Sequence, residues 1–295
     1  MFRPRNMGVD LVLQAMRRVT GRLHLFACML AGGAVVTTAC AAEPLVVQVV
    51  PQFPVEEIYR TWSPILAKIS EATGIALKLE IAKSIPEFEQ NFVKGIPDVA
   101  YMNPYHAVIA KRAVGYEPII CDSSKQLTGI LVVSRDSPVR TIGDLSRKDI
   151  AFPSPNSFGA SLYLRAILTE RENLTFSSRF VGTHSNVYRL VAGGRVAAGG
   201  GIRQTLERDT EELRSQLRIV YETPATNPHP IVVHPRVPPA LRAKLQEAFM
   251  ALARVPSNAM LLEDIQMSQP RLASSKDYMP IERLGLDKYA AQPTN

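Results

Sequence analysis

Cysteine is scarce in this chain of 295 residues. Of its three cysteines, Cys28 and Cys40 lie near the N-terminus, and only Cys121 lies in the body of the chain. An intrachain disulfide is therefore not expected, and there is no paired-cysteine motif of the kind that holds zinc. We expect Cys121 to pack as a small apolar side chain rather than to act as a nucleophile.

Motifs of common enzyme classes are absent as well. The sequence has no Walker loop, no glycine fingerprint for dinucleotides, no H-E-x-x-H and no G-x-S-x-G. The histidines in the body of the chain are scattered without the spacing of metal ligands, and we expect each to lie at the surface or in a hydrogen bond: His106, His184, His229 and His234. The sequence predicts no catalytic residue, no metal ion and no cofactor.

Dense runs of lysine and arginine with interleaved aromatic residues are missing too, so nucleic acid is not an expected partner. The formal net charge is +7, but residues 1–42 contain five arginines and a single aspartate. The remaining residues therefore carry a net charge of only +3. Much of the apparent basicity belongs to this N-terminal segment.

The N-terminal segment has the three parts of a secretory signal peptide. An arginine-rich region at 17–22 precedes the mostly apolar stretch 23–36, which is too short to span a bilayer comfortably. Small residues follow at positions 39–42. We predict that residues 1–42 are a signal peptide.

Cleavage after Ala41 or Ala42 would release a soluble periplasmic protein. The start codon is open, because Met16 begins a more typical signal peptide than Met1 does. A lipid-anchored mature N-terminus at Cys40 is the alternative to a soluble one, but the residues before Cys40 lack the leucine of a bacterial lipobox.

The body of the chain alternates between strand and helix patterns. The apolar run Leu45–Val50 predicts a strand that is covered on both faces, and the run Val99–Met102 predicts another strand. Between these runs, apolar residues recur at helical spacing up to Gly74, which predicts a helix with a glycine at its end. Alternation of this kind is typical of α/β proteins.

The same alternation predicts two lobes, one inserted into the other. The first lobe comprises residues 43–130 and is completed by residues 228–295, and the second comprises residues 131–227. The chain is expected to cross between the lobes near Leu127–Ser134 and again near 221–231.

The stretch Asp149–Leu168 predicts a strand, a sharp turn and a helix. Asn156 or Ser157 is suited to cap this helix with its side chain. Unpaired amides and the helix dipole favour an anion at such a helix start, and Gly159 allows another group to approach the backbone closely. The pattern is typical both of an anion-binding turn and of an ordinary capped helix.

Motifs spread over residues 45–290 resemble those of one known family. In chain order they are Glu71-Ala72-Thr73-Gly74, the run Gly95–Tyr101 followed by Pro104, Pro155-Asn156-Ser157 before a helix, Gly182-Thr183-His184-Ser185 before Gly194, and Asp277-Tyr278-Met279-Pro280-Ile281. Their order and spacing together are specific. On them, the chain resembles the phosphate/phosphite/phosphonate-binding family of periplasmic solute-binding proteins of ABC importers.

This resemblance implies a type II periplasmic-binding-protein fold, an α/β fold of two lobes that close over a small anionic ligand. Each lobe would hold a mostly parallel sheet flanked by helices. Family members hold the oxyanion with a Ser-Thr-Ser run at a helix start, where this chain has Ser157-Phe158-Gly159 and so lacks two hydroxyls. The acidic positions that face a ligand's amine in the family fall near Ala197 and Ile202, which argues against an ammonium-bearing ligand.

We predict ten ligand-binding residues on these grounds. In the second lobe they are the helix start and the histidine that aligns with the family's own, namely Ser157, Phe158, Gly159, Ala160 and His184. In the first lobe they follow the ends of predicted strands, where ligands bind in α/β sheets, namely Gln52, Phe53, Tyr101, Asn103 and Tyr105.

The resemblance also implies a periplasmic monomer that hands its ligand to an ABC permease and catalyses nothing. Membrane contact is expected only through a partner or a lipid anchor at Cys40. One alternative is an extracytoplasmic sensor subunit that binds a small anion and signals through a separate kinase. Another is an enzyme on the same fold, similar to pyrimidine-precursor synthases, against which the lack of a cysteine cluster or a histidine-rich site counts. The ligand is open among phosphonate, phosphite, phosphate ester, sulfonate and carboxylate.

Overall fold

The computed structural model describes residues 43–291. The predicted signal peptide lies outside the described residues, and so do Cys28 and Cys40. Within residues 43–291, no helix is both long enough and apolar enough to cross a membrane.

The strands of the described residues form two sheets. In chain order they are β1 (Leu45–Val49), β2 (Leu77–Glu80), β3 (Val99–Tyr101), β4 (Glu117–Asp122), β5 (Gly129–Ser134), β6 (Asp149–Phe152), β7 (Ser177–Phe180), β8 (Ala198–Ile202), β9 (Leu217–Glu222), β10 (Pro230–Val233) and β11 (Pro270–Leu272). The six-stranded sheet has the order β11-β4-β10-β3-β1-β2, and the five-stranded sheet has the order β7-β6-β8-β5-β9. We call the six-stranded sheet with its helices lobe 1, and the five-stranded sheet with its helices lobe 2.

Helices cover both sheets. They are α1 (Val55–Thr73), α2 (Ile85–Val93), α3 (Pro104–Val114), α4 (a π-helical turn Phe158–Leu162, an α-helical turn Tyr163–Ala166 and a second π-helical turn Ile167–Arg171), α5 (His184–Ala192), α6 (Arg203–Glu207), α7 (Glu211–Ser215), α8 (Pro239–Leu252), α9 (Ala259–Asp264) and α10 (Ser275–Glu282). Helices α4 and α5 pack on the sheet of lobe 2, while α1, α3 and α8 pack on the sheet of lobe 1. Each lobe has its own core, with Ile65 and Phe88 fully buried in lobe 1 and Val132 and Tyr188 in lobe 2.

Local sequence explains where the helices of lobe 1 begin and end. Helix α1 ends at Gly74, whose backbone is left-handed (φ +70°) and whose amide donates to the carbonyl of Ser70. Helix α3 begins with Pro104, which needs no amide partner in the first turn. The side chain of Asn103 caps that helix by accepting a hydrogen bond of 2.8 Å from the amide of His106.

Both sheets are mixed rather than mostly parallel, although the two-lobed α/β architecture is as predicted. Strand β1 runs parallel to β2 and β3, and β6 runs parallel to β7 and β8. All pairings of β4, β5, β9 and β10 are antiparallel. The chain leaves lobe 1 after β4 and returns to it in β10, and it enters lobe 2 in β5 and leaves it after β9. The neighbouring strands β4 and β10, and likewise β5 and β9, therefore run in opposite directions. Parallel pairing would have required a helical crossover inside the same lobe.

Two further parts of the chain complete the lobes. The region after residue 239 is mainly helical and also supplies the short edge strand β11. Residues Arg203–Glu207 and Glu211–Ser215 form the two short helices α6 and α7 rather than one continuous helix. The division falls at Thr210, because its side chain accepts from the amide of Leu213 and so starts a new helix.

The two lobes are connected at several places. The two crossing segments pair with each other, since the amides and carbonyls of Leu127 and Thr226 exchange hydrogen bonds of 2.9 and 3.0 Å. One apolar cluster contains Tyr105 of α3, Phe158 of α4 and Tyr278 of α10. The lobes therefore share packed surface in addition to the crossings, and the boundaries near residues 130 and 228 stay a prediction.

Candidate functional site

Seven of the ten predicted ligand-binding residues line one small cavity between the lobes. They are Gln52, Asn103, Ser157, Phe158, Gly159, Ala160 and His184. The cavity has a volume of about 20 Å³, which is room for roughly one water molecule. The two lobes therefore meet here with little free space between them.

The start of α4 presents donors without acceptors to this cavity. The hydroxyl of Ser157 is buried and has no hydrogen-bond partner among residues 43–291. The amides of Phe158, Gly159 and Ala160 likewise have no acceptor in the described part of the chain. Because the first turn is π-helical, the carbonyl of Ser157 receives its first helical hydrogen bonds only from the amides of Ser161 and Leu162. Free donors at a helix start form a suitable site for an anion.

The helix start is held by close packing of its backbone on the sheet of lobe 2. A Cβ atom at Gly159 would lie 2.7 Å from Leu127 Cδ2 and 3.1 Å from Ile202 Cγ2. A Cβ atom at Gly200 of β8 would collide with the carbonyl of Ala160. The space beside Gly159, which was predicted to admit a ligand, is thus occupied by the protein's own residues. The result is a helix start with a fixed position.

Neither of the predicted caps operates at α4. The Ser157 side chain makes no capping bond, and the Asn156 side chain points across the cleft instead. Asn156 Nδ2 donates to Glu89 Oε2 and to the carbonyl of Ala291, each at 2.9 Å, and Asn156 Oδ1 accepts from the Ala291 amide at 3.0 Å. The carbonyl of Asn156 accepts from Asn103 Nδ2 at 3.1 Å. Tertiary partners have therefore displaced the local cap, and Asn156 joins the two lobes.

The partner of Asn156 in lobe 1 belongs to a buried polar pair. Glu89 Oε1 of α2 lies 3.0 Å from His106 Nε2 of α3, and both side chains are almost fully buried. An acid this deep is stable only when its oxygens are paired. Asn156 donates to the second oxygen of Glu89. Separation of the lobes would remove this hydrogen bond and leave that oxygen without its partner.

His184, the predicted second contact for the anion, is a neutral ring in this environment. Burial lowers the pKa of His184 to about 4. Its Nδ1 lies 3.1 Å from the hydroxyl of Thr205, which also contacts the Tyr188 hydroxyl and the carbonyl of Ile202. Thr205 has a single hydroxyl proton, which can go to His184 Nδ1 or to the Ile202 carbonyl but not to both.

His229 completes the cavity and was not predicted from the sequence. It is buried, and burial followed by the nearby His106 and His184 lowers its pKa to about 3. Its ring stacks on Tyr101 with centroids 5.4 Å apart. The sequence signal that could have found it is its position, one residue before β10 at the end of a crossing segment. Three apolar residues of the wall were missed as well: Val50, Ile85 and Ile202.

The remaining three predicted residues are outside this cavity. The Tyr105 hydroxyl donates to Asp287 at 2.8 Å and so belongs to the contact between α3 and the C-terminal segment. Phe53 lies under the guanidinium of Arg208, 4.8 Å from ring centroid to Cζ. Tyr101 lines a second and larger chamber of about 370 Å³, which shares Ile202 and His229 with the small cavity.

Comparison with known proteins gives the same assignment as the sequence motifs. Over 241 residues, which are 77% of this chain and 71% of the relative, the sequence is 24% identical to the phosphonates-binding periplasmic protein of Escherichia coli K12. Two solved structures share the fold with a TM-score of 0.74 at 18% identity. One is a binding protein component of an ABC phosphonate transporter from Pseudomonas aeruginosa (82% of this chain, 86% of that chain). The other is PhnD1 of Prochlorococcus marinus in complex with methylphosphonate (82% and 96%).

A match to a known family accompanies these pairwise similarities. It extends over residues 47–278, from β1 to the middle of α10, and therefore includes both sheets and the whole cavity between them. The chain belongs to the family described as periplasmic substrate-binding proteins of phosphonate ABC transporters.

Proposed function

We propose that this protein binds the oxyanion head group of a phosphonate-type ligand at the start of α4. The observation that carries the proposal is the set of donors without acceptors around one buried cavity: the Ser157 hydroxyl and the amides of Phe158, Gly159 and Ala160. A tetrahedral oxyanion supplies acceptors to several such donors at once, and the helix dipole favours its charge.

The head group is recognised without any fixed positive charge. No lysine or arginine lines the small cavity, and both of its histidines are neutral because burial lowers the pKa of each far below 7. Charge-assisted hydrogen bonds from neutral donors therefore supply the binding energy. These donors all belong to lobe 2, while lobe 1 supplies Gln52 and Asn103 to the same cavity. A head group needs more room than the one water molecule that the cavity holds, so the lobes must part to admit it and are then expected to close over it.

We propose that the loaded protein acts as a monomer, catalyses no reaction and delivers its ligand to the permease of an ABC importer. Family membership supports the partner and the periplasmic location. Export through a signal peptide that ends at Ala41 or Ala42, rather than a lipid anchor at Cys40, is the accompanying proposal. N-terminal sequencing of the exported protein tests it, and a lipid-modified Cys40 at the N-terminus would contradict it.

Calorimetry with methylphosphonate, phosphite, phosphate and sulfate tests the proposed head-group site. At least one of the phosphorus oxyanions should bind, and its binding should reduce the radius of gyration in solution scattering. Sulfate serves as the control for non-specific attraction of anions. If no phosphorus oxyanion binds more tightly than sulfate, the proposed function is wrong.

A further inference from the structure

One ring nitrogen of His184 belongs to a buried cluster of hydroxyl groups behind the head-group cavity. Thr205 Oγ1 lies 3.1 Å from His184 Nδ1 and 2.7 Å from the Tyr188 hydroxyl. It also lies 2.9 Å from the carbonyl oxygen of Ile202, and that carbonyl is 3.2 Å from the Tyr188 hydroxyl. The side chains of His184, Thr205 and Tyr188 are all buried. These four contacts must therefore be satisfied by the protons of the cluster itself.

The number of protons in this cluster decides which nitrogen of His184 is protonated. Two oxygens at the two shortest distances, 2.7 and 2.9 Å, attract each other only when a proton lies between them. The Ile202 carbonyl has no proton, so the Thr205 hydroxyl must donate to it. The Tyr188 hydroxyl then donates to Thr205. The remaining contact at His184 is a hydrogen bond only if Nδ1 is the donor, because Thr205 has no second proton.

The opposite tautomer leaves the cluster one proton short. With no proton on Nδ1, the Thr205 hydroxyl would have to donate to the ring. Tyr188 could then donate either to Thr205 or to the Ile202 carbonyl. In both cases the 2.9 Å contact between Thr205 and that carbonyl would join two oxygens without a proton. The hydrogen bonds therefore assign the ring proton of His184 to Nδ1 and leave Nε2 with a lone pair.

Titratable groups around His184 are consistent with a neutral ring. Burial lowers the pKa of His184 to about 4, and on the same helix burial raises the pKa of Tyr188, so the phenol keeps its proton. Across the cavity, burial and the nearby histidines lower the pKa of His229 to about 3. Beyond α6, Asp209 accepts a hydrogen bond of 2.9 Å from the serine that follows His184. In lobe 1, Glu89 is engaged in the buried pair described above. A head group in the cavity therefore meets an uncharged ring.

We propose that His184 Nε2 accepts a hydrogen bond from the head group, so that the protein selects oxyanions that carry a proton. His184 lines the head-group cavity, and its Nε2 has no partner among residues 43–291. A singly ionised phosphonate has one P–OH group for Nε2 and two anionic oxygens for the Ser157 hydroxyl and the amides of α4. This inference rests on the proposed function, since the head group must lie at α4.

Oxyanions without a proton are disfavoured by the same arrangement. Sulfate, a sulfonate and a fully ionised phosphonate have only acceptor oxygens, and each would place a lone pair against the lone pair of Nε2. Thr205 does not contact the ligand in this scheme. It acts through His184 as a positioning residue, because its oxygen holds the ring proton on Nδ1.

Nitrogen-15 NMR of protein labelled at histidine tests the tautomer directly. In the ligand-free protein at pH 7, His184 should have a protonated Nδ1 and an unprotonated Nε2. Loss of its signals in His184→Gln assigns them. A proton on Nε2 would overturn the proposal, because His184 would then be a donor suited to a fully ionised oxyanion.

Calorimetry with methylphosphonate and methanesulfonate tests the selection. Below the second pKa of methylphosphonate the two anions have the same charge and a similar shape, and they differ by one proton. Methylphosphonate should bind at least about tenfold more tightly. Its dissociation constant should rise about tenfold per pH unit above that pKa, since the complex holds a proton that the free dianion lacks. Phosphite should give the same rise. Equal binding of the two anions, or a dissociation constant that does not rise, would refute the acceptor role. If no phosphorus oxyanion binds, the proposed function fails instead.

The variant Thr205→Val separates the positioning role from a structural one. It removes the acceptor of the Nδ1 proton, while Tyr188 can still donate to the Ile202 carbonyl. The ring can then carry its proton on Nε2, so the preference for methylphosphonate over methanesulfonate should fall about tenfold and the rise with pH should flatten. Thr61→Val is the matched control, because Thr61 is also a buried helical threonine and donates to the Glu57 carbonyl at 2.9 Å. It should keep the parent's preference and pH profile. A parental preference and pH profile in Thr205→Val would overturn the proposal.

Discussion

The hydroxyl of Ser157 provides a sharp test, because its removal should change stability and binding in opposite directions. The hydroxyl is buried without a partner in residues 43–291, and a buried unpaired polar group costs about 1–3 kcal/mol. Ser157 makes no capping bond that an alanine would lose. We therefore expect Ser157→Ala to raise the free energy of unfolding of the ligand-free protein by about 1 kcal/mol.

The same substitution should weaken ligand binding. A hydrogen bond to a charged group contributes about 1.5–3 kcal/mol, so the dissociation constant for the best phosphorus oxyanion should rise by about 10- to 150-fold. Urea unfolding and calorimetry on the same preparation measure the two effects. The matched control is Ser84→Ala at the start of α2, where the serine does cap its helix by accepting from the Glu87 amide at 3.3 Å. That variant should lose about 0.5–2 kcal/mol of stability and no affinity. If Ser157→Ala loses stability in the same way, its hydroxyl already has a partner and the reasoning fails.

Three other substitutions have defined outcomes. Gly159→Leu should lower the unfolding free energy by about 1–3 kcal/mol or more, since even a Cβ atom there meets Leu127 at 2.7 Å; an unchanged urea midpoint would contradict the packing. Asn156→Ala should enlarge the ligand-free protein in solution scattering and weaken binding about tenfold, because its hydrogen bond to Glu89 across the cleft and its two hydrogen bonds to Ala291 disappear; Asn186→Ala, at an exposed position of α5, is its control. Burial lowers the pKa of His184 to about 4, and an adjacent anion would raise it, so affinity should increase as pH falls towards that value. The ratio of dissociation constants between His184→Gln and the parent should therefore be constant near pH 8 and rise as pH falls below the pKa that His184 has in the complex; a ratio that stays constant down to pH 4 would contradict contact between His184 and the anion.

The fold could be predicted from the sequence because its strands and helices are marked locally. Gly74 marks a helix end through its backbone conformation alone, and this prediction agrees with the structure. The antiparallel pairing of the crossing strands could not be predicted from local sequence, because it depends on where the chain leaves each lobe. The short strand β11 has too few residues for its pattern to differ from that of a loop.

The site was predicted only where its residues are close in the chain. The residues from Ser157 to Ala160 form one turn, and the structure places them together. His229 reaches the cleft from a distant segment, and only its position one residue before β10 marks it in the sequence. At Asn156 the local rule was wrong, because a buried glutamate 67 residues earlier in the chain competes successfully for its side chain.

The order of strands has a consequence for how the chain folds. All five strands of lobe 2, from Gly129 to Glu222, are contiguous in sequence, so its sheet can form from one uninterrupted segment. In the sheet of lobe 1, β10 lies between β3 and β4. In the sequence, however, all five strands of lobe 2 lie between β4 and β10. Until β10 arrives, β3 and β4 have unpaired edges, which promote aggregation. Lobe 2 should therefore acquire hydrogen-exchange protection first during refolding, and lobe 1 should be the part that needs a chaperone while its central strand is missing.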